Sequence, residues 1–237
     1  MTLTCSPHSE ILHPDVQPNA TERGTIRVLL VDDHPAVRLG ARALIDDQPD
    51  MAVVAEARSV AEALDKLVHP VDVAIVDYHL GEGRDGLSLI GHLKSRQPAA
   101  RVLVYSAFAD GGLAVTALIA GADGLLGKHE LGEELCDAIR RVARGRHNLP
   151  AISQSVAQVM RTRLEPRDQA IFAMLLHGIA PKVIAERLAL TPAELRRRRA
   201  AILQRLKPTP ALSGLPAGAR APLDYERPHR RPRRQAA

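Results

Sequence analysis

Four short apolar runs in this chain each end on charged or hydroxyl residues, and that placement limits the folds open to it. Asp32 and Asp33 follow the run Ile26–Val31, Asp77 follows residues 71–76, Ser106 follows residues 101–105, and Lys128 follows residues 125–127. Apolar runs of this length, separated by amphipathic stretches long enough for helices, read as strands covered on both faces and alternating with helices. The expected fold is an α/β doubly wound parallel sheet. In such a sheet the carboxyl ends of the strands share one rim, which is where open α/β sheets bind ligands. Residues distant in sequence therefore converge: three carboxylates, a hydroxyl and an ammonium.

That set of groups suits a divalent cation and a phosphoryl group. Hard oxygen ligands with room left for water fit Mg²⁺, with Asp33 and Asp77 as direct ligands and Asp32 acting directly or through water. Asp77, at the central position, is the candidate nucleophile, accepting a phosphoryl group as an acyl phosphate. Lys128 would neutralise charge on the phosphoryl oxygens and Ser106 would donate to one of them. A lone Asp after a strand is most often a turn former or helix cap. Five such residues at four strand ends argue against independent accidents. His34 and Pro35 read as structural, because proline in the first turn of a helix needs no amide partner, and the His79 imidazole reads as loop surface.

The segments VLLVDDHPAVRLGARALI, AIVDYHL, VLVYSAF and GADGLLGKHE, in that order over roughly residues 26–144, resemble the receiver domain of bacterial two-component response regulators. The resemblance implies that a partner histidine kinase phosphorylates Asp77. It also implies Mg²⁺ on Asp33, Asp77 and the backbone carbonyl of His79. Two positions depart from the family pattern. Gly81 stands where the family usually has proline, in a loop that reads as one residue longer and more mobile. Leu125 stands three residues before the lysine, where many receivers carry an aromatic ring whose rotation reports phosphorylation.

Charge divides the chain in two. Residues 26–145 hold 13 Lys and Arg against 18 Asp and Glu, whereas residues 164–237 hold 15 against 6. The second part therefore suits a polyanion. Residues 145–163 read as a polar linker with a short helix, and residues 1–24 and 207–237, rich in proline, glycine and polar residues, read as disordered. The two cysteines, Cys5 and Cys136, indicate neither a disulfide framework nor a metal cluster. Histidines and a glutamate interrupt the N-terminus, so it does not read as a signal peptide, and no stretch is apolar for the length of a membrane span. The expected location is cytoplasmic, with no membrane partner.

Within the basic part, residues 164–206 predict three short helices. Leu164, Glu165 and Pro166 open the first, which Gly178 ends; Pro181 opens the second; Thr191 caps the third, with Pro192 in its first turn. Short helices joined by tight turns present one helix to the DNA major groove. The segment LEPRDQAIFAMLLHGIAPKVIAERLALTPAELRRRRAAILQRL resembles the LuxR-type helix-turn-helix domain found behind many receivers. At about 100° per residue, Leu195, Ile202 and Leu206 form an inward stripe, and Arg196, Arg197 and Ala200 point away from it. Lys182, Arg196, Arg197 and Arg198 are the candidate DNA contacts. Arg199 falls beside the stripe and is expected to snorkel outward. The family often has an apolar residue at that position, a histidine at Arg198 and a threonine at Glu194. The family's domain usually continues into a fourth helix that pairs two copies, but Pro208, Pro210, Gly214, Pro216 and Gly218 oppose one here. A homodimer would then have to form through the receiver.

The reading that unites these features is a non-enzymatic, phosphorylation-dependent, DNA-binding transcriptional regulator served by a sensor histidine kinase. Two other readings stand beside it. A receiver with a degenerate output domain would act through protein contacts. A haloacid dehalogenase-like phosphatase would also use an Asp nucleophile with Ser, Lys and Mg²⁺, but it needs a second Asp two residues on, where this chain has His79.

Overall fold

The computed structural model describes residues 24–81, 84–130 and 132–207. The tails expected to be disordered lie, but for their innermost residues, outside these. Five parallel strands form the central sheet: β1 (Ile26–Val31), β2 (Met51–Ala57), β3 (Val73–Asp77), β6 (Arg101–Ser106) and β7 (Gly124–Gly127), in the order β2-β1-β3-β6-β7. Strands β1, β3 and β6 lie inside the sheet, and every described residue of β3 is buried, as their unbroken apolar runs require. The strand β2 was not evident from an apolar run. It lies at one edge, pairs only with β1 and alternates small, apolar and acidic residues. Between β3 and the third helix a two-stranded ribbon forms, β4 (His79–Leu80) with β5 (Arg84–Asp85). The parallel register sets Asp77 opposite Tyr105 and Ser106 opposite Gly127.

Helices α1 (Pro35–Asp46) and α5 (Glu133–Ala143) cover one sheet face, and α2 (Val60–Lys66), α3 (Leu87–Arg96) and α4 (Gly111–Ala120) the other. Pro35 does occupy the first turn of α1, behind His34 as N-cap. Asp110 caps α4 by accepting from the Leu113 amide at 2.8 Å. Buried Asp123 ties three elements: it accepts from Lys94 Nζ at 2.6 Å, Arg101 Nη1 at 3.1 Å and the Val102 amide at 2.9 Å. Burial alone would push its carboxyl up, but the Lys94 charge and these bonds outweigh that and hold it below the ordinary carboxylate range.

The segment read as a linker is tied to the sheet. Asn148 bridges the outer edge of β7, its amide donating to Asp123 O and its carbonyl accepting from Leu125, and Leu149 is buried in the receiver-side core. The short helix expected there is α6 (Gln154–Thr162), followed by α7 (Pro166–Leu176), α8 (Pro181–Arg187) and α9 (Pro192–Leu206). Thr191 and Glu194 close a reciprocal capping box on α9. That bond occupies Glu194. Between α8 and α9 the turn passes through Ala189 at φ 50°, where a Cβ costs about 1–2 kcal/mol. Ala189→Gly should therefore raise the stability of the chain by about 1 kcal/mol, read as a higher melting temperature; a lower one would show that the turn is not strained.

Candidate functional site

The parallel register brings the residues picked out at four strand ends onto one rim. Asp32 and Asp77 are buried and Asp33 is half-buried. Lys128 lies 2.7 Å from Asp32 Oδ2 and 2.7 Å from Asp77 Oδ2, crossing from the far edge of the sheet to bridge the two carboxylates. Ser106 is fully buried at the end of β6, and its Oγ accepts from the Phe108 amide at 3.3 Å. The amide of His79 donates to Asp77 Oδ1 at 3.2 Å, which fixes the backbone of that residue beside the carboxylate, while its side chain is exposed.

Electrostatics explains the poise of this cluster. Burial is the largest influence on Asp77 and pushes its carboxyl up; the Lys128 ammonium pulls it back, the Asp32 charge pushes the same way as burial, and the net direction is upward. Burial would lower Lys128, but its bonds to Asp32 and Asp77 outweigh this and hold it protonated above its ordinary range. Tyr105, buried beside the rim, donates its hydroxyl to the Lys128 carbonyl at 3.4 Å, and burial with the Asp32 charge pushes that hydroxyl up to about 12. Leu125 is buried at the position where the family often has a ring.

Three contributors were not evident from the sequence. His34, read as structural, also turns its Nδ1 to within 2.9 Å of Asp33 Oδ1, 3.4 Å of Asp32 Oδ1 and 3.9 Å of Asp77 Oδ2. Its place directly after the Asp pair was the available signal. Arg38, one turn into α1, donates to the Asp32 carbonyl at 2.8 Å. Gly81, at φ 41°, donates its amide to Asp33 Oδ2 at 3.0 Å. The proline usual there could not make that bond. Gly86 is required for a different reason: a Cβ at that position would lie 1.9 Å from the Asp77 carbonyl.

The donor set fits a hard cation. Ligand atoms of Asp32, Asp33, His34 and Asp77 all lie within 4.8 Å of one another. Asp33 Oδ1 is buried and accepts no hydrogen bond of good geometry. A buried carboxylate oxygen in that condition is costly unless a cation faces it.

On the basic part, Arg196 and Arg197 are exposed on α9 beside Ala200, and Lys182 projects from the first turn of α8, near Glu186. Arg198 is not with them. Its Nη1 donates to the Arg167 carbonyl at 3.3 Å and lies 3.8 Å from buried Asp168. Arg199 does not snorkel to solvent as expected: its Nε and Nη2 donate to the Ile119 carbonyl at 3.1 and 2.6 Å, at the end of α4. A carbonyl at a helix C-terminus lacks an intrahelical partner and carries partial negative charge, so it outcompetes water for the guanidinium.

Comparison with known proteins accords with this geometry. The model of the response regulator receiver domain matches residues 28–140. The chain is 33% identical to the DNA-binding transcriptional activator DevR/DosR of Mycobacterium tuberculosis, over 70% of this chain and 81% of that protein. It is 31% identical to the nitrate/nitrite response regulator NarL of Escherichia coli, over 76% and 88%. Among solved structures, a LuxR-family two-component response regulator from Aurantimonas is 35% identical, with TM-score 0.50 over 60% of this chain and all of that one. An RcsB–DNA complex at 20% identity and TM-score 0.53 shares the fold. The rim of acids with its bridging lysine, the five-stranded sheet and the helix-turn-helix behind it thus belong to one lineage: the chain is a member of the two-component response regulators, the DNA-binding transcriptional regulators of the LuxR type.

Proposed function

We propose that residues 25–144 form the phosphoacceptor unit, that Asp77 takes a phosphoryl group from a sensor histidine kinase, and that residues 164–206 bind double-stranded DNA. The observation that carries the first part is the Lys128 bridge between Asp32 and Asp77, which holds an ammonium against the buried carboxylate at the end of the central strand. In the transfer an Asp77 oxygen forms a bond to phosphorus as the phosphorus–nitrogen bond of the donor phosphohistidine breaks. Lys128 leaves Asp77 and pairs with a phosphoryl oxygen, and Ser106 donates to another. Asp32, Asp33, Asp77 and the His79 carbonyl would hold Mg²⁺, which supplies charge neutralisation on the phosphoryl oxygens. Among the described residues no helix is long and apolar enough to cross a membrane, which is consistent with a cytoplasmic regulator. The acidic receiver surface is proposed to meet the kinase and, in a homodimer, a second receiver.

For DNA, the exposed cations Lys182, Arg196 and Arg197 are proposed to contact phosphates or guanine edges, with Ala200 allowing close approach. Arg198, turned to α7, is left as a bracing residue.

Three outcomes check this reading. Asp77→Asn should abolish acid-stable, base-labile labelling by acetyl phosphate; a retained label removes Asp77 from the role. The same substitution should raise the melting temperature of the metal-free protein at neutral pH, because an elevated carboxyl destabilises the fold once ionised. As pH falls through its titration the wild type protonates and the difference should vanish; a lower melting temperature at neutral pH contradicts the electrostatics of the rim. Finally, Arg196→Ala with Arg197→Ala should reduce the slope of log affinity against log salt by about 0.9 for each lost contact. An unchanged slope would place the contacts in the basic tail.

A further inference from the structure

We infer that α4 of the receiver acts as a structural helix of the DNA-binding unit, so that the docked form is the DNA-binding form and the receiver presents α9 instead of masking it. The inference rests on the DNA-binding reading of the α9 face.

The helix α4 has the sequence GGLAVTALIA, without a charged residue, and every residue but Leu118 is buried. Such a helix has no face suited to water. Leu113, Ala114 and Ala117 pack into the receiver core. Val115 and Ile119 belong to a different core, together with Phe172 of α7 and Ile202 and Leu206 of α9. Thr116 satisfies its hydroxyl within the helix, on the carbonyls of Gly112 and Leu113. The helices α6 to α9 form a small unit, and a core of that size is marginal without further elements. Val115 and Ile119 supply apolar surface to the same core.

Arg199 fixes the geometry. Both of its bonds go to the Ile119 carbonyl, and burial alone lowers its guanidinium from the ordinary range, with no carboxylate to compensate. Room for it comes from Gly121, where a Cβ would lie 3.1 Å from Nη2. Gly121 also stands at φ 97° as the C-cap of α4. One glycine thus serves the helix end and the interdomain contact.

The docked helix keeps its opposite side open. Taking the centre of the Leu195, Ile202 and Leu206 stripe as inward, Arg199 and Leu203 flank it toward α4, and Arg198 flanks it toward α7. Arg196, Arg197, Ala200, Ala201 and Gln204 occupy the remaining arc and are all exposed. The contact with α4 therefore consumes none of the side chains proposed to meet DNA.

A receiver that restrained α9 and a receiver that supports it predict opposite signs. The test is fluorescence anisotropy of full-length protein with a mixed-sequence duplex of about 30 base pairs at low salt, alongside amide hydrogen exchange. Ile119→Ser, and Val115→Ala as a milder variant, remove apolar contact without touching charge. Each should weaken DNA binding, by about tenfold if the folded output unit drops to a tenth of the population. Exchange should accelerate in α7 and α9 while amides of β1, β3 and β6 stay protected. Arg199→Lys keeps the charge but loses the two-pronged bond, and should weaken binding as Arg199→Ala does. Unchanged or tighter binding by Ile119→Ser and Val115→Ala would overturn the inference, as would wild-type affinity in Arg199→Lys together with loss in Arg199→Ala, which would make Arg199 a DNA contact. If the wild type binds no duplex, the reading of the α9 face fails, and the exchange measurement alone decides whether α4 supports α7 and α9.

Discussion

Three carboxylates crowded at the ends of β1 and β3 repel one another, and the Lys128 ammonium between Asp32 and Asp77 makes their proximity tolerable. Everything around the rim serves that compensation. The parallel register sets the strand ends level, so that β7 can deliver Lys128 across β6 and β3. Gly86 lets the following helix start against the Asp77 carbonyl. Amides of His79 and Gly81 take up further oxygens of Asp77 and Asp33. A lysine held by two carboxylates is also a group that can be redirected, because a phosphoryl group on Asp77 would offer it a stronger partner.

The second organising contact is apolar. The helix α4 begins five residues after Ser106 and has cores on two sides. Its Asp110 cap and Gly121 end define its length, and its two apolar faces join what the charge distribution separates. The acidic and basic parts of the chain are therefore not tethered by a free linker: Asn148 extends the sheet edge, Leu149 enters the core, and α6 packs on α4 beside α7. The sheet that carries the acidic rim and the helix α9 thus both pack on α4.

The departures from the family pattern acquire physical meaning in this arrangement. Gly81 in place of proline adds an amide donor to Asp33. Arg199 in place of an apolar residue reaches a helix-terminal carbonyl that an aliphatic side chain could not use. Glu194 closes the cap of α9. Leu125 is buried without a ring, while Tyr105 on the adjacent strand supplies an aromatic hydroxyl to the backbone of Lys128.

Sequence alone determined the interior strands, because β1, β3 and β6 are covered on both faces and their apolar runs have no interruption. It also determined that Asp32, Asp33, Asp77, Ser106 and Lys128 would converge, since parallel strands necessarily end on one rim. Helix starts at Pro35, Pro181 and Thr191 were legible for a similar reason: caps and first-turn prolines act within a few residues. The edge strand β2 was less legible, being half solvated and alternating. Tertiary structure alone decided where His34, Arg198 and Arg199 point. A polar side chain on or beside a helix is read from sequence as seeking water, but the choice between water, Asp33, the Arg167 carbonyl and the Ile119 carbonyl depends on which partner the fold brings within hydrogen-bond reach. It likewise decided the covering of α4, since an all-apolar helix announces burial without naming what will bury it.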